Sequence, residues 1–437
     1  MGLTFLQSGE YNPRGYPGYP LYEFFIYSIS DKGPFFTNSI SAISGYLCIL
    51  IFKLILESHC NCSKNISFFI SLMLCFTPTI WIASTTTMDY LFAEFLLLFS
   101  WYLTKNRKYT YFSAIFFGLS ITARPNYLIF LLPIIVGVLL VNKDNLRSFK
   151  PFFKFLTSYL SICFITSFLI FLPQIINHGF IDKPGVLFNY SNLSILQMGF
   201  NSIRLFGVIG TFTITVFSIL IIYKVNLNHN IIKIFLEDPS CIISLLGITV
   251  NILLFISFPD ELFYLIPSIP FFLYLLAKIT NFIKVESITS VLISVILILF
   301  INNFIDLKFW KKNDFKRKVI SKPYFGVGIL FNDFRERKLL SKQNKYIFDN
   351  NFKRPCIIVT GWHGPIIGIY KNRFEPNSSC DCEIVQFLDE DKMKEMVNNG
   401  LDIYFTDAAE TQINLLFNYS LKKYVSKHNA ISDLIKQ

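Results

Sequence analysis

Ten apolar runs follow one another between residues 38 and 304, at about 38–56, 66–84, 88–104, 109–123, 125–141, 152–173, 203–223, 241–258, 260–277 and 285–304. A helix of about 17–25 apolar residues matches the hydrocarbon thickness of a bilayer. A chain that repeats such runs with only short polar links has no interior large enough to bury them in water. Hydrophobic residues make up 53% of the sequence and charged residues only 16%, with 49 Phe among the 437 residues. The expected class is therefore an α-helical polytopic membrane protein of about ten transmembrane helices. The net charge of +11 would suit a nucleic-acid partner. The basic residues, however, sit in short loops between apolar runs, which is a topology signal. No nucleic acid is expected.

The fourth and fifth runs are interrupted only by Arg124-Pro125. One helix of that length would overshoot the bilayer, and Pro removes a backbone donor, so the reading is a hairpin with Arg124 at its tip. Lys and Arg then concentrate on one side, in the loops around Lys64, Arg107, Arg147, Lys224 and Lys278. The other side carries Arg14, Lys32, Arg124 and Lys183 before residue 305. The positive-inside bias puts residues 1–37 outside the cytoplasm. Lys308, Lys311, Lys312, Lys316, Arg317, Lys318 and Lys322 run against it, since this topology assigns them to the outside.

Beyond the last run the character changes. "PCIIVTGWHGPI" and "GLDIYFTD" read as buried strands, with "DEDKMKEMVNN" as an exposed helix between them. That order predicts a small C-terminal α/β domain. The divisions are thus residues 1–37 as an extracytoplasmic loop segment, 38–304 as the helical membrane domain, and 305–437 as a soluble extracytoplasmic domain. "TGWHGP" matches no phosphate-binding fingerprint and reads as a strand-ending turn. The nine Cys include no Cys-x-x-Cys pair, and Cys60/Cys62 and Cys380/Cys382 have no His at ligand spacing, so no zinc site is expected. Cys356 has Cys380 and Cys382 as alternative disulfide partners if the tail folds outside the cytoplasm.

Ionisable residues beside apolar spans are costly and therefore candidates for function. "GEYNPRGYPGYPLYEFF" holds Glu10, Arg14 and Glu23 with Tyr11, Tyr16, Tyr19 and Tyr22. "TTTMDYLFAEF" holds Asp89 and Glu94, "SITARPNYLIF" holds Arg124, and "FPDELFYLIPSIPF" holds Asp260, Glu261 and Tyr264. On the alternating topology Glu10, Arg14, Asp89, Arg124, Asp260 and Glu261 all face the outer side. Simpler readings stand beside this one. Asp89 and Asp260 suit a helix N-terminus electrostatically. Arg124 could snorkel to lipid head groups, the Tyr residues fit an aromatic belt, and Glu94, deeper in its span, suits a partner within the bundle.

These stretches resemble the GT-C superfamily of membrane glycosyltransferases, the protein O-mannosyltransferase and aminoarabinose transferase groups among them. "SGEYNPRGYPGYPLYE" is similar to the first extracytoplasmic loop of that family. "STTTMDYLFAEFLLLFSWYL" is similar to its helix with an Asp near the outer end, "FFGLSITARPNYLIFLLP" to its Arg- or Lys-tipped hairpin, and "ELFYLIPSIPFFLYLLA" to its Tyr-Leu-x-Pro-x-x-Pro helix. The resemblance spans about residues 5–280. It implies transfer of a sugar, with inversion, from a polyprenyl-phosphate donor to a glycan, lipid or protein acceptor, at a multi-pass site in a prokaryotic plasma membrane. A carboxylate takes the acceptor's proton and cations meet the leaving phosphate.

The family's catalytic Asp follows a helix upstream of the Gly-Tyr-Pro stretch, so the expectation is a chain lacking that first helix. Asp89 and Glu10 remain for the catalytic role. Arg14, Tyr16, Tyr19, Arg124, Asp260, Glu261 and Tyr264 are the expected substrate-binding residues. No cofactor is firmly implied; a divalent cation suits the chemistry, but no ligand spacing calls for one. The alternatives are a transporter or lipid flippase, and a non-catalytic truncated relative.

Overall fold

The computed structural model describes residues 18–29, 32–142, 149–178, 195–226, 231–257, 262–281, 288–303, 329–349, 356–361, 382–385 and 389–406, with short stretches thereafter up to 435. The chain divides into two compact units, Met1–Leu330 and Phe331–Gln437.

The described residues of the first unit are almost entirely helical. In chain order the helices are α1 (Pro20–Tyr27), α2 (Pro34–Ser58), α3 (Lys64–Cys75), α4 (Pro78–Thr85), α5 (Tyr90–Leu103), α6 (Thr110–Ala123), α7 (Leu131–Asn142), α8 (Phe149–His178), α9 (Ile195–Asn226), α10 (Ile231–Glu237), α11 (Pro239–Ser257), α12 (Ser268–Asn281) and α13 (Ile288–Asn302). Among the described residues, five helical stretches are long and apolar enough to cross a membrane: Phe35–Ser58, Pro125–Asn142, Lys150–Ile176, Pro239–Ser257 and Leu262–Asn281. The pair α3 and α4 makes a sixth if it is one bent span. Helices α5 and α13 are apolar but shorter. The exterior is oily: in the most apolar stretch of Lys150–Ile176 only 11% of residues are buried, and Phe164, Ile165, Phe168 and Leu169 point outward. Water would not tolerate that surface, whereas lipid matches it.

Three expectations change at this level. The run 66–84 is not one helix: α3 stops at Cys75 and α4 starts at Pro78, bent by 67°. Pro78 offers no N–H and forces Thr77 into extended backbone (φ −64°, ψ 124°), so the helix cannot continue through it. The seventh run begins earlier than its apolar core suggests and is broken at Gly207, whose φ of 71° favours glycine. The Arg124 hairpin is also looser than expected. A 3₁₀ segment, Pro125–Phe130, separates α6 from α7; α6 packs chiefly on α5 and α8, and α7 on α11.

Close helix contacts come from small residues, as they must where lipid removes the hydrophobic drive to associate. A Cβ on Gly118 of α6 would stand 2.9 Å from the Cys163 carbonyl oxygen of α8, and one on Gly247 of α11 would stand 2.7 Å from the Phe271 ring of α12. Hydroxyls stitch the same layers: Ser100 donates to the Ser113 carbonyl at 2.9 Å, and the Ser113 and Tyr159 hydroxyls lie 3.1 Å apart, joining α5, α6 and α8. Trp101, Phe271 and Tyr274 fill the centre. Gly118→Leu should therefore lower the unfolding midpoint in detergent, at a cost of about 1–3 kcal/mol or more from overpacking against backbone. Gly199→Leu, where a Cβ meets nothing within 4 Å, should change little. Equal midpoints for the two variants would refute this packing.

In the second unit, α14 (Ile329–Asp349) precedes strands β1 (Cys356–Val359) and β2 (Glu383–Val385), helix α15 (Glu390–Asn398) and strand β3 (Asp402–Phe405). The sheet order is β2-β1-β3, all parallel, with Ile357 opposite Glu383 and Ile403. β1 is central and wholly buried, as an apolar "CIIV" run predicts. Asp389 caps α15 by accepting from the Lys392 N–H at 2.8 Å. Gly361 follows β1 with φ 63°, which fits the strand-ending turn read in "TGWHGP". Cys356 is disulfide-bonded to Cys382, which joins β1 to the start of β2; Cys380 lies outside the described residues. Neither α14 nor β2 was anticipated.

Candidate functional site

Arg124 is placed by the residue that follows it. Pro125 disfavours helical backbone at the residue before it, so α6 ends at Ala123 and Arg124 turns extended (φ −157°, ψ 104°). Its N–H still reaches the Ser120 carbonyl, and its own carbonyl accepts from Tyr127 N–H, both at 2.9 Å. The side chain does not leave the bundle. Arg124 is only 3% exposed, and its Nη1 donates to Asp89 Oδ2 at 2.5 Å. An Arg at an exposed tip, snorkelling to head groups, is thus not what the fold contains.

Asp89 occupies the N-cap position of α5, but its carboxylate makes no capping hydrogen bond. It is turned to Arg124 instead, so a capping hydrogen bond is not what holds it at the helix start. The loop leading to it is pinned to α2. Met88 N–H reaches Ser41 Oγ at 3.1 Å, Thr87 Oγ1 donates to Asn38 Oδ1, and the Thr87 and Thr37 hydroxyls lie 2.9 Å apart.

Tyrosine rings enclose the guanidinium. Its carbon lies 3.5 Å from the ring centre of Tyr90, 5.1 Å from Tyr264 and 5.7 Å from Tyr19. Buried cation–π contacts of this kind contribute about 2 kcal/mol or more each at the closest range. Tyr264 belongs to a 3₁₀ turn, Leu262–Leu265, whose carbonyl at Tyr264 accepts from Asn251 Nδ2 at 2.8 Å. Tyr19 precedes Pro20 at the start of α1. Tyr19, Asp89, Arg124 and Tyr264, from four separate stretches, therefore meet at one point. Glu10, Arg14, Tyr16, Asp260 and Glu261 lie outside the described residues.

Deeper in α5, Glu94 is 1% exposed. Its Oε2 accepts from Tyr127 OH at 2.9 Å, while Oε1 is buried with no hydrogen-bond partner. Tyr90 and Tyr127 were not singled out from sequence, although each stands close to a residue that was, in "MDY" and "RPNY".

A second buried pair has a different character. Asp238 Oδ2 pairs with Lys278, and Asp238 Oδ1 caps α11 through Ser240 N–H at 2.8 Å. Nearby, the His59 ring joins Ser240 Oγ at 2.7 Å and the Tyr102 carbonyl at 3.1 Å. Here the aspartate does serve as a cap, and the cluster locks four helix ends together, those of α2, α5 and α12 and the start of α11. Among the described residues no group of three or more His, Cys, Asp or Glu could hold a metal ion.

The chain matches no family model, and no curated protein or solved structure is similar to it.

Proposed function

We propose that this chain is a membrane glycosyltransferase of GT-C type, which moves a sugar from a polyprenyl-phosphate donor to an extracytoplasmic acceptor. The observation that carries this reading is the convergence on Arg124. The four stretches that carry the resemblance each contribute a residue to its surroundings: Tyr19, Asp89, Arg124 itself and Tyr264. In this reading Asp89 and the Tyr rings hold the guanidinium while its remaining N–H donors face the leaving phosphate, whose oxygens suit a planar fork.

The proposed crossing path keeps ten spans and has its own support. Contacts among loops fall into two sets. One joins Tyr19, Asn38, Thr87, Asp89, Arg124 and Tyr264; the other joins His59, Tyr102, Ser240 and Lys278, with Arg107 donating to the Val141 carbonyl at 3.0 Å. Those are the two groups that strict alternation assigns to opposite faces. The disulfide favours an extracytoplasmic tail, because such bonds persist in oxidising compartments.

A transporter reading also has specific support. Broken helices and a buried, half-partnered carboxylate are features of substrate pathways. This fold has breaks at Phe76–Thr77 and Gly207, and it has Glu94.

The deciding experiment reconstitutes the chain into vesicles with a radiolabelled polyprenyl-phosphate sugar. Transfer to an acceptor on the face where Cys substituted for Thr87 is labelled supports the transferase. Movement of solute or lipid without bond cleavage would replace it with the transporter.

A further inference from the structure

Three helices end at one place, near the breaks in two of them. α3 ends at Cys75, with Phe76 as its cap; the first half of α9 ends at Phe206, before the Gly207 break; α13 ends at Asn302. A helix C-terminus presents unpaired carbonyls and the negative end of the macrodipole. Side chains at the end of α13 tie the three ends together. Asn302 Nδ2 donates to the Phe206 carbonyl at 2.7 Å, and Asn303 Nδ2 to the Phe76 carbonyl at 2.9 Å and the Leu299 carbonyl at 3.0 Å. Thr79 Oγ1 donates to the Leu205 carbonyl at 3.2 Å.

Those donations fix which way each amide faces. Carbonyls only accept, so each Nδ2 must point at them and each Oδ1 must point elsewhere. Both Oδ1 atoms are buried with no hydrogen-bond partner, on residues 0% and 1% exposed. Leaving two amide oxygens unmet in a protein interior costs roughly 1–3 kcal/mol each. Phe76, Trp81 and Phe300 pack about the same junction, with ring centres 5.1 Å apart for Phe76 and Phe300.

We infer that Asn302 Oδ1 and Asn303 Oδ1, with carbonyl oxygens of the helix ends at Phe76 and Phe206, form a binding site for a monovalent alkali cation. The chemistry selects the ligand. The two unmet side-chain atoms are both oxygen acceptors, which a cation can meet and an anion cannot. Neutral amide and carbonyl oxygens suit a weakly charged hard ion; tight Ca²⁺ or Mg²⁺ sites recruit carboxylates. Helix ends and unwound carbonyls at discontinuous helices hold ions in this way. Occupancy would brace α4, which runs from the break at Pro78 to Thr85 and so to the Asp89 loop. The site does not depend on the transferase reading.

The test uses the purified full chain in detergent, with its unfolding midpoint measured in NaCl, KCl and N-methylglucamine chloride at matched ionic strength. Sodium or potassium should raise the midpoint in proportion to the logarithm of its concentration above Kd, by about 5 °C at roughly a hundredfold excess. Asn302→Ala and Asn303→Ala should each weaken the apparent affinity by about tenfold or more. Both also remove a tie between helix ends, so the quantity read is the cation-dependent increment, not the starting midpoint. Thr79→Val, which removes a donor but no ligand, should keep the increment. Should neither Asn variant fold, equilibrium binding of ²²Na⁺ and ⁴²K⁺ to the wild-type chain decides. No saturable binding, no increment over N-methylglucamine, or an increment untouched in both Asn variants would overturn the site and leave water as the partner of those oxygens.

Discussion

Replacing Arg124 with Ala should fail twice, in stability and in turnover. The carboxylate of Asp89 would be left buried without its counter-ion, since both side chains are under one-tenth exposed and paired at 2.5 Å. Breaking such a pair costs about 3–5 kcal/mol, and the Tyr90 ring loses the cation 3.5 Å from its centre. The unfolding midpoint in detergent should fall by many degrees. In the vesicle assay turnover should drop by ~10²–10³, the usual cost of losing one charge-stabilising donor.

Arg124→Lys separates the two losses. An ammonium keeps the ion pair with Asp89 and much of the stability, but it cannot lie flat on Tyr90 or offer a two-pronged donor to phosphate. Turnover should recover only in part. A wild-type midpoint in Arg124→Ala would mean that the pair does not hold the bundle. Wild-type turnover in a folded Arg124→Ala would remove Arg124 from the chemistry.

The sequence made the membrane class legible because lipid demands long apolar runs whatever the tertiary fold. It also made the neighbours of the site legible: Asp89, Arg124 and Tyr264 were each conspicuous as polar groups where an apolar span begins. Their mutual pairing was not. From the sequence Arg124 stood at a tip, and a tip suggests water. Only the packing of α5 against α6 shows that its side chain turns inward to Asp89.

The missed helix breaks have a common cause. Apolar periodicity runs through Phe76, Thr77 and Pro78, and again through Phe206 and Gly207, without interruption. A hydropathy reading registers solvent, not hydrogen bonds. The Pro and the Gly were visible signals for a break, yet whether a break is tolerated depends on partners far along the chain. Here those are Asn302 and Asn303, 96 and 227 residues away, which no local pattern connects to Phe206 or Phe76. In the tail, "PCIIV" and "LDIYF" announced themselves as strands by composition. β2 did not, because a three-residue edge strand with Glu383 exposed has almost no period to read.

Asp89 was expected to act as a base, and the ion pair gives a way to tell that role from a purely electrostatic one. Asp89→Asn alone leaves Arg124 charged and buried, so the unfolding midpoint should fall nearly as far as in Arg124→Ala. The double variant Asp89→Leu with Arg124→Met removes both charges and fills the space with apolar groups, Met lying against the Tyr90 ring. Replacing a whole buried pair in this way is often neutral or stabilising. The double variant should therefore be more stable than either single one, with a coupling of about 0.5–3 kcal/mol in a double-mutant cycle. Turnover should follow a different rule. If Asp89 only holds Arg124, Asp89→Asn, which keeps an oxygen facing the guanidinium, should retain measurable transfer. If Asp89 takes the acceptor's proton, an amide cannot replace it, and turnover should fall by ~10²–10⁴. The geometry favours the first outcome, since the Asp89 carboxylate is buried and already bonded to Arg124. The general base would then be a carboxylate outside this pair, and Asp89 a positioning residue. Additive stability losses in the cycle would show that the two charges do not depend on one another, and would remove the pair from both accounts.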